Sequence, residues 1–201
     1  MANHVNTVIH LNTNEQGKEK FKDILSRLKT LNTPFNWEQP WEVEEGVYNH
    51  NAELLFDSDD MGTYDGNINN MGSKWVTVDD VGEDYMNLTS AWSMPDGVVE
   101  MIAKEINEVD ADSYITVEYE DEMPNFVGVA LYKGGEVVDQ EMFDWDEIKD
   151  KLNEIPELAE HWDEEKEDWS DEGRDIMSEY LWETTREMQE VALQNILTSV
   201  E

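Results

Sequence analysis

The chain has no cysteine among its 201 residues. This absence excludes disulfide bonds, thiolate nucleophiles, zinc–thiolate sites and cysteine-ligated iron–sulfur clusters. The four histidines, His4, His10, His50 and His161, are scattered, and no H-E-x-x-H block or triad-like pattern occurs. The sequence therefore predicts no catalytic residue, no cofactor and no metal site, and we expect a binding protein rather than an enzyme.

Basic residues are scarce. Lysine and arginine total 13 against 49 aspartates and glutamates, which gives a formal net charge of −36. Direct binding to DNA, RNA or an anionic membrane is not expected, because each would bring like charges together. Eight tryptophans and seven tyrosines indicate that the chain folds, since acidic disordered chains are poor in aromatic residues. Basic protein surfaces are the natural partners, and a salt-adapted surface is the alternative explanation of the charge.

Long apolar runs are also missing. The N-terminal stretch MANHVNTVIHLNTNE has neither a basic n-region nor an apolar segment, so we expect no signal peptide and no membrane span. The predicted location is the cytoplasm.

The stretch DSDDMGTYDGNI (57–68) comes nearest to a metal-binding motif. EF-hand positions 1, 3, 6 and 9 hold the expected Asp, Asp, Gly and Asp, whereas positions 5 and 12 hold Met61 and Ile68. Because the bidentate glutamate of position 12 is missing, the stretch is interpreted as a polar, turn-rich loop.

Hydrophobic periodicity predicts strands that alternate with helices. Predicted helices cover about 15–31 and 93–108, the second with Ser93 as its cap in an S-x-x-D box. Gly134-Gly135 predicts a hairpin turn, and 144–201 is predicted to be helical in two or three pieces. Strands are predicted at 5–11, 52–56, 74–78, 87–92, 113–120, 125–133 and 136–143. This order favours an α+β sandwich of the split βαβ type with a mostly antiparallel sheet, in two domains, 1–143 and 144–201.

Four blocks carry a family resemblance: MANHVNTVIHL at the N-terminus, NMGSKW at 70–75, TSAWSMPDGVVEMIAKEI at 89–106 and EYEDEMPNFVGVALYKGG at 118–135. The matching positions are Asn70, Gly72, Lys74, Trp75, Ala91, Trp92, Ser93, Pro95, Tyr119, Phe126 and Gly128. Residues 1 to about 143 resemble the Api-like phage and plasmid proteins. The blocks depart from the pattern of that family at Met71, Ser73, Pro124 and Asn125. The resemblance implies a ferredoxin-like fold without a cluster, followed here by an added C-terminal helical segment, and a phage or mobile-element origin. It supplies no catalytic residue.

The negative charge is concentrated away from the N-terminus. Residues 1–41 carry a net charge of +1, whereas 42–135 carry −19 and 136–201 carry −18. The segment EHWDEEKEDWSDEGRD (160–175) holds nine carboxylates around Trp162 and Trp169. These indoles are seven residues apart, on one face of a helix, where they either anchor the segment or meet the Arg and Lys of a partner by cation–π contact.

A ladder of acids continues after this segment, opposite an apolar stripe. The acids recur every three or four residues from Asp175 to Glu190. The stripe comprises Met177, Leu181, Met188, Val191, Ala192 and Ile196, and it either packs on the body or forms a homodimer seam.

The leading hypothesis is a non-enzymatic, phage-type acidic protein that mimics DNA or RNA. It would inhibit a basic host protein that binds nucleic acid, as a host-takeover or anti-defence factor. The alternative is an acidic structural or assembly protein that dimerises through its C-terminal helices, and a carboxylate–metal enzyme is the third hypothesis. The predicted partner-binding residues are Trp162, Asp163, Glu164, Glu165, Glu167, Asp168, Trp169, Asp171, Glu172, Glu179, Glu183 and Glu187.

The net charge predicts that salt stabilises the folded state, because counterions screen its self-repulsion. The urea midpoint of unfolding should rise between about 0.01 M and about 0.15 M NaCl, over which the Debye length falls from about 30 Å to about 8 Å. An unchanged or lower midpoint would contradict this expectation.

Overall fold

The computed structural model describes residues 3–28, 52, 55–163 and 168–198. The main sheet has the strands β1 (His4–Asn12), β2 (Val76–Val81), β3 (Tyr85–Ala91), β4 (Tyr114–Asp121), β5 (Phe126–Lys133) and β6 (Glu136–Asp144). Their order is β2-β3-β1-β4-β5-β6, and every neighbouring pair is antiparallel. Because β1 lies between β3 and β4, the split βαβ arrangement predicted from the sequence is confirmed.

The helices are α1 (Glu15–Leu28), α2 (Tyr64–Met71), α3 (Asp96–Asn107), α4 (Trp145–Asn153), α5 (Pro156–Ala159) and α6 (Asp171–Thr198). A second, two-stranded sheet separates α5 from α6 and consists of β7 (Trp162–Asp163) and β8 (Asp168–Trp169). Within the described part of the chain, α6 is by far the longest helix.

One face of the main sheet packs against α1 and α3. On β1 the residues Val5, Thr7, Ile9 and Leu11 are buried while their neighbours are more exposed, which is the period-two pattern of a strand with one face in the core. The helices contribute buried side chains at the 3.6-residue period: Phe21, Ile24, Leu28, Val98, Val99, Ile102 and Ile106. This cluster is the main hydrophobic core.

Strand β5 is buried on both faces. Ala130 and Tyr132 belong to the main core, whereas Val129 and Leu131 pack on the other face against α6. A strand covered on both sides reads as a nearly continuous apolar run, which explains VGVALY in the sequence. The turn into β6 places Gly134 and Gly135 at φ angles of 67° and 84°, as the predicted hairpin requires.

Three local expectations are wrong. Residues 52 and 55, part of the predicted strand 52–56, lie in 3₁₀ turns and are buried. Part of the polar loop is the helix α2, whose first turn is capped by Thr63. Ser93 does not cap α3, because Pro95 occupies the cap position and the Ser93 hydroxyl donates to Gly72 O at 2.9 Å. The predicted end of the first helix, 29–31, lies outside the described residues, and the division at 143/144 remains a prediction.

An ion-pair cluster ties α1 to α3. Glu105 on α3 accepts from Arg27 Nη2 at 2.7 Å, and its other oxygen lies 3.0 Å from Lys20 Nζ. Burial alone would raise the pKa of Glu105, but the two cations outweigh burial and hold the pKa below its usual value.

Replacing Glu105 by Gln should lower the free energy of unfolding by about 1 kcal/mol near neutral pH. The folded-state pKa is depressed, so this contribution is present above the ordinary pKa of 4.5 and is lost as pH falls through the lower folded value. Urea unfolding as a function of pH measures the difference from wild type, which should shrink on acidification. Glu100→Gln, on the exposed side of the same helix, is the control and should show no such difference.

Candidate protein-binding surface

Helix α6 is held on the sheet by a buried polar contact and by apolar packing. The Gln189 side chain donates from Nε2 to Tyr119 O at 3.0 Å and to Gly128 O at 3.2 Å, which are carbonyls of β4 and β5. Ala192 and Ile196 follow on the same face and are 1% and 3% exposed. The apolar stripe therefore packs on the body, apart from Val191, which is 53% exposed.

The opposite face of α6 carries a row of carboxylates. The α6 acidic row consists of Glu172, Asp175, Glu179, Glu183, Glu187 and Glu190, and all six are exposed. Eighteen residues separate its ends, so the row is about 27 Å long at about 1.5 Å per residue. Because the inner face of α6 is fixed on the sheet, the row is presented on a folded support.

Helices α4 and α5 pack against α6 and add further exposed acids. Together with the α6 acidic row they form what we call the acidic surface; the added residues are Asp146, Glu147, Asp150, Glu154 and Glu157. Some of its acids have intramolecular partners: Lys149 lies 3.2 Å from Asp146, Lys151 lies 3.1 Å from Glu154, and Arg186 lies 3.0 Å from Glu190. These pairs are local, within four residues along a helix, and acids outnumber the cations that could neutralise them.

The prediction that Trp162 and Trp169 share a helical face is wrong, because the two residues are cross-strand partners in the β7–β8 sheet. Their ring centroids are 5.0 Å apart in an edge-to-face arrangement, and the Trp145 ring lies 6.4 Å from Trp169. Trp169 is 3% exposed and belongs to a core cluster with Ile148. The structure therefore favours the anchoring role for Trp169, and we omit it from the binding surface.

Trp162 is half-buried, and one of its faces meets a cation of the same chain. Lys149 Nζ lies 5.6 Å from the centroid of the ring. A partner's arginine or lysine would have to compete with Lys149 for this face.

The remaining predicted residues fall into three groups. Glu179, Glu183, Glu187 and Glu172 lie on the α6 acidic row. Asp163 is half-buried on β7; Asp168 lies 2.7 Å and Asp171 3.7 Å from Arg174. The hydrogen bond from Arg174 lowers the pKa of Asp168, which stays ionised. Glu164, Glu165 and Glu167 lie outside the described residues.

An apolar groove that was not predicted from the sequence runs beside the acidic row. It lies between α6, β6 and the α4–α5 connection and has a volume of about 640 Å³. We call it the α6 groove; its apolar lining is Phe143, Ile155, Pro156, Tyr180, Met188, Val191 and Ala192. These side chains come from β6, from the α4–α5 connection with the start of α5, and from α6, so no local pattern predicts that they meet. The Tyr180 hydroxyl donates to Glu157 Oε2 at 2.9 Å, and this bond raises its pKa.

A second, more polar depression of about 430 Å³ lies where α6 leaves part of the sheet uncovered. Asn6, His10, Glu120 and Trp182 line it, and burial raises the pKa of Glu120. Neither depression gathers metal ligands: among the described residues no three His, Asp or Glu side chains are placed to hold an ion. In the same part of the chain, no helix combines the length and the apolar character needed to cross a membrane.

The fold is an α+β sandwich in which a split βαβ core is extended by β5 and β6 and covered by an acidic helix. A family model described as a ferredoxin-like domain in Api92-like protein matches residues 71–195, more than half of the chain. The chain therefore belongs to this family, and both the suspected resemblance and the ferredoxin-like fold are confirmed. The match extends through most of α6, beyond the residues on which the resemblance was based. No curated protein and no solved structure matches the chain.

The packing of the tryptophans predicts a large difference between two truncations. Trp169→Ala should lower the free energy of unfolding by about 3–5 kcal/mol, because it opens a cavity beside Ile148. Trp182→Ala, at a side chain 49% exposed, should cost less than about 1 kcal/mol. Urea titrations of both variants measure these values, and equal losses would contradict the assignment of Trp169 to the core.

Proposed function

We propose that the chain is a non-enzymatic binding protein whose acidic surface occupies the nucleic-acid-binding site of a basic host protein. In this role it stands in for DNA or RNA and inhibits its partner, as a phage-type anti-defence or host-takeover factor. The observation that carries the proposal is the α6 acidic row, a series of exposed carboxylates on a helix fixed to the sheet.

The spacing of the charges supports the proposal. Six carboxylates over about 27 Å give one charge per about 5 Å, and one strand of duplex DNA carries one phosphate per about 3.4 Å. The row alone is thus less dense than a DNA strand. The exposed acids of α4 and α5 raise the density of negative charge on this part of the surface toward that of a DNA strand.

The uneven distribution of charge gives the same indication. The cations of α1 are engaged far from the acidic surface: Lys20 and Arg27 contact Glu105, and Lys18 lies 3.3 Å from Glu83. Helix α1 is therefore close to neutral, although exposed acids such as Asp59 and Glu108 also lie outside the acidic surface. The strong negative charge of the acidic surface would orient a basic partner during its approach.

The alternative, assembly through the C-terminal helices, has less support. Most of the apolar stripe on α6 is covered by the sheet and by α4. A homodimer through the outer face of α6 would bring two acidic rows together, and their repulsion opposes it.

Charge removal tests the proposal. The host protein is first captured on the immobilised chain and identified by mass spectrometry, and the chain is then titrated against its complex with labelled duplex DNA. The chain should displace the DNA, and its affinity should fall steeply with salt. The triple substitution Glu179→Gln, Glu183→Gln and Glu187→Gln should weaken displacement about tenfold, since each exposed ion pair contributes up to about 1 kcal/mol.

A matched control removes three charges elsewhere. Asp59→Asn, Glu108→Gln and Asp112→Asn change exposed acids outside the acidic surface. The control should displace DNA as well as wild type within about twofold. A control as weak as the triple variant, or an affinity that ignores salt, would refute the proposal.

A further inference from the structure

The α6 groove combines a concave apolar floor with a rim of carboxylates. Phe143, Ile155 and Met188 contribute to the floor, and all three are half-buried. Glu141, Glu154, Glu183 and Glu187 stand among the lining residues. Lys151 is the one basic side chain among the lining residues that the structure describes, and it lies 3.1 Å from Glu154.

The apolar wall of the groove is left open by the fold. Val191 is 53% exposed although it lies between the buried residues Gln189 and Ala192 on α6. A volume of about 640 Å³ is within the range of sites that accept several side chains of a ligand. Met188 in the floor is unbranched and flexible, and such side chains adapt to different apolar partners.

The carboxylates at the rim determine which ligands can bind in the α6 groove. A nucleic acid or a second copy of this chain would bring negative charge to the rim of carboxylates. A basic amphipathic segment matches both parts of the site, because its apolar side chains fit the floor and its lysines or arginines reach the rim. Amphipathic helices bind in this way, with apolar anchors at i, i+3, i+4 and i+7.

We propose that the α6 groove binds a basic amphipathic segment of the partner protein, with the apolar anchors of that segment against Phe143, Met188 and Val191. This inference rests on the proposed function and adds to it: the partner is held by an apolar contact as well as by charge. Glu183 and Glu187 belong both to the rim and to the α6 acidic row, so the two contacts are continuous.

Two synthetic peptides of equal length and equal positive charge separate the contribution of the apolar contact from that of charge. One carries leucines at helical spacing among lysines, and the other replaces every leucine by glycine. Fluorescence anisotropy measures the Kd of each for the full chain at several salt concentrations. The leucine peptide should bind at least about tenfold more tightly than the glycine peptide, because burying one or two apolar side chains contributes that much.

The substitution Val191→Asp separates binding by charge from binding in the groove, because it changes the two in opposite directions. It adds a negative charge, so binding by charge alone becomes equal or tighter, whereas binding in the groove becomes weaker. The leucine peptide should lose about tenfold in affinity and the glycine peptide should lose none. Val109→Asp is the matched control, at a valine 41% exposed after α3, and should leave the Kd of the leucine peptide unchanged.

The outcomes are distinct. If both peptides bind equally, or if Val191→Asp leaves the leucine peptide unaffected, the groove is not the binding site while the charge-based function stands. If neither peptide shows salt-sensitive binding, the proposed function fails and the groove inference fails with it. Thermal unfolding of both valine variants checks that they remain folded, and Val191→Leu, which should retain the affinity for the leucine peptide, tests the site without adding a charge.

Discussion

The packing of α6 on the outer face of β5 determines where the α6 acidic row and the α6 groove lie. A chain with a net charge of −36 repels itself, and burial of apolar surface must exceed that repulsion. Val129, Leu131, Ala192 and Ile196 supply such burial, and Gln189 adds hydrogen bonds to the carbonyls of Tyr119 and Gly128. Because the inner face of α6 is in contact with the sheet, the exposed acids of the helix lie on its outer face.

Strands β5 and β6 extend the sheet, and this extension makes the packing of α6 possible. In the split βαβ core the helices α1 and α3 cover one face, and the other face of β1 is largely polar: Asn6 and His10, with the half-buried Val8 between them, line an open depression. Strand β5 adds a second apolar face, which α6 covers, whereas β6 contributes Phe143 to this packing and is otherwise exposed. The groove follows from the same geometry, since α6, β6 and the α4–α5 connection diverge around it.

Much of the fold could be predicted from sequence because its elements have local signatures. The alternation of β1 and β4, the apolar run of β5 and the Gly134-Gly135 turn each specify their own conformation.

Helix α2 could not be predicted, because YDGNINNM has no apolar period and its end depends on Gly72 in the left-handed region. The seven-residue spacing of Trp162 and Trp169 suits both a helical face and a tight hairpin, and contacts with Trp145 select the hairpin. The α6 acidic row was visible in the sequence. Its apolar neighbour was not, because Phe143 and Met188 meet only through tertiary packing.

Electrostatic attraction acts over a longer distance than apolar contact. A binding surface that has both can attract partners by charge and distinguish among them by shape. The field of the acidic surface extends over about 8 Å at physiological salt and acts on any basic protein. By itself it would hold many partners weakly, since exposed ion pairs contribute little each. An apolar groove acts only on contact and only on a segment whose anchors fit it, so it lengthens the residence of some partners without increasing the attraction of others. The adjacency of Glu183 and Glu187 to Val191 places both effects on one helix face. Under the proposed function, a partner would be recognised by the pattern of its apolar residues and not by its net charge alone.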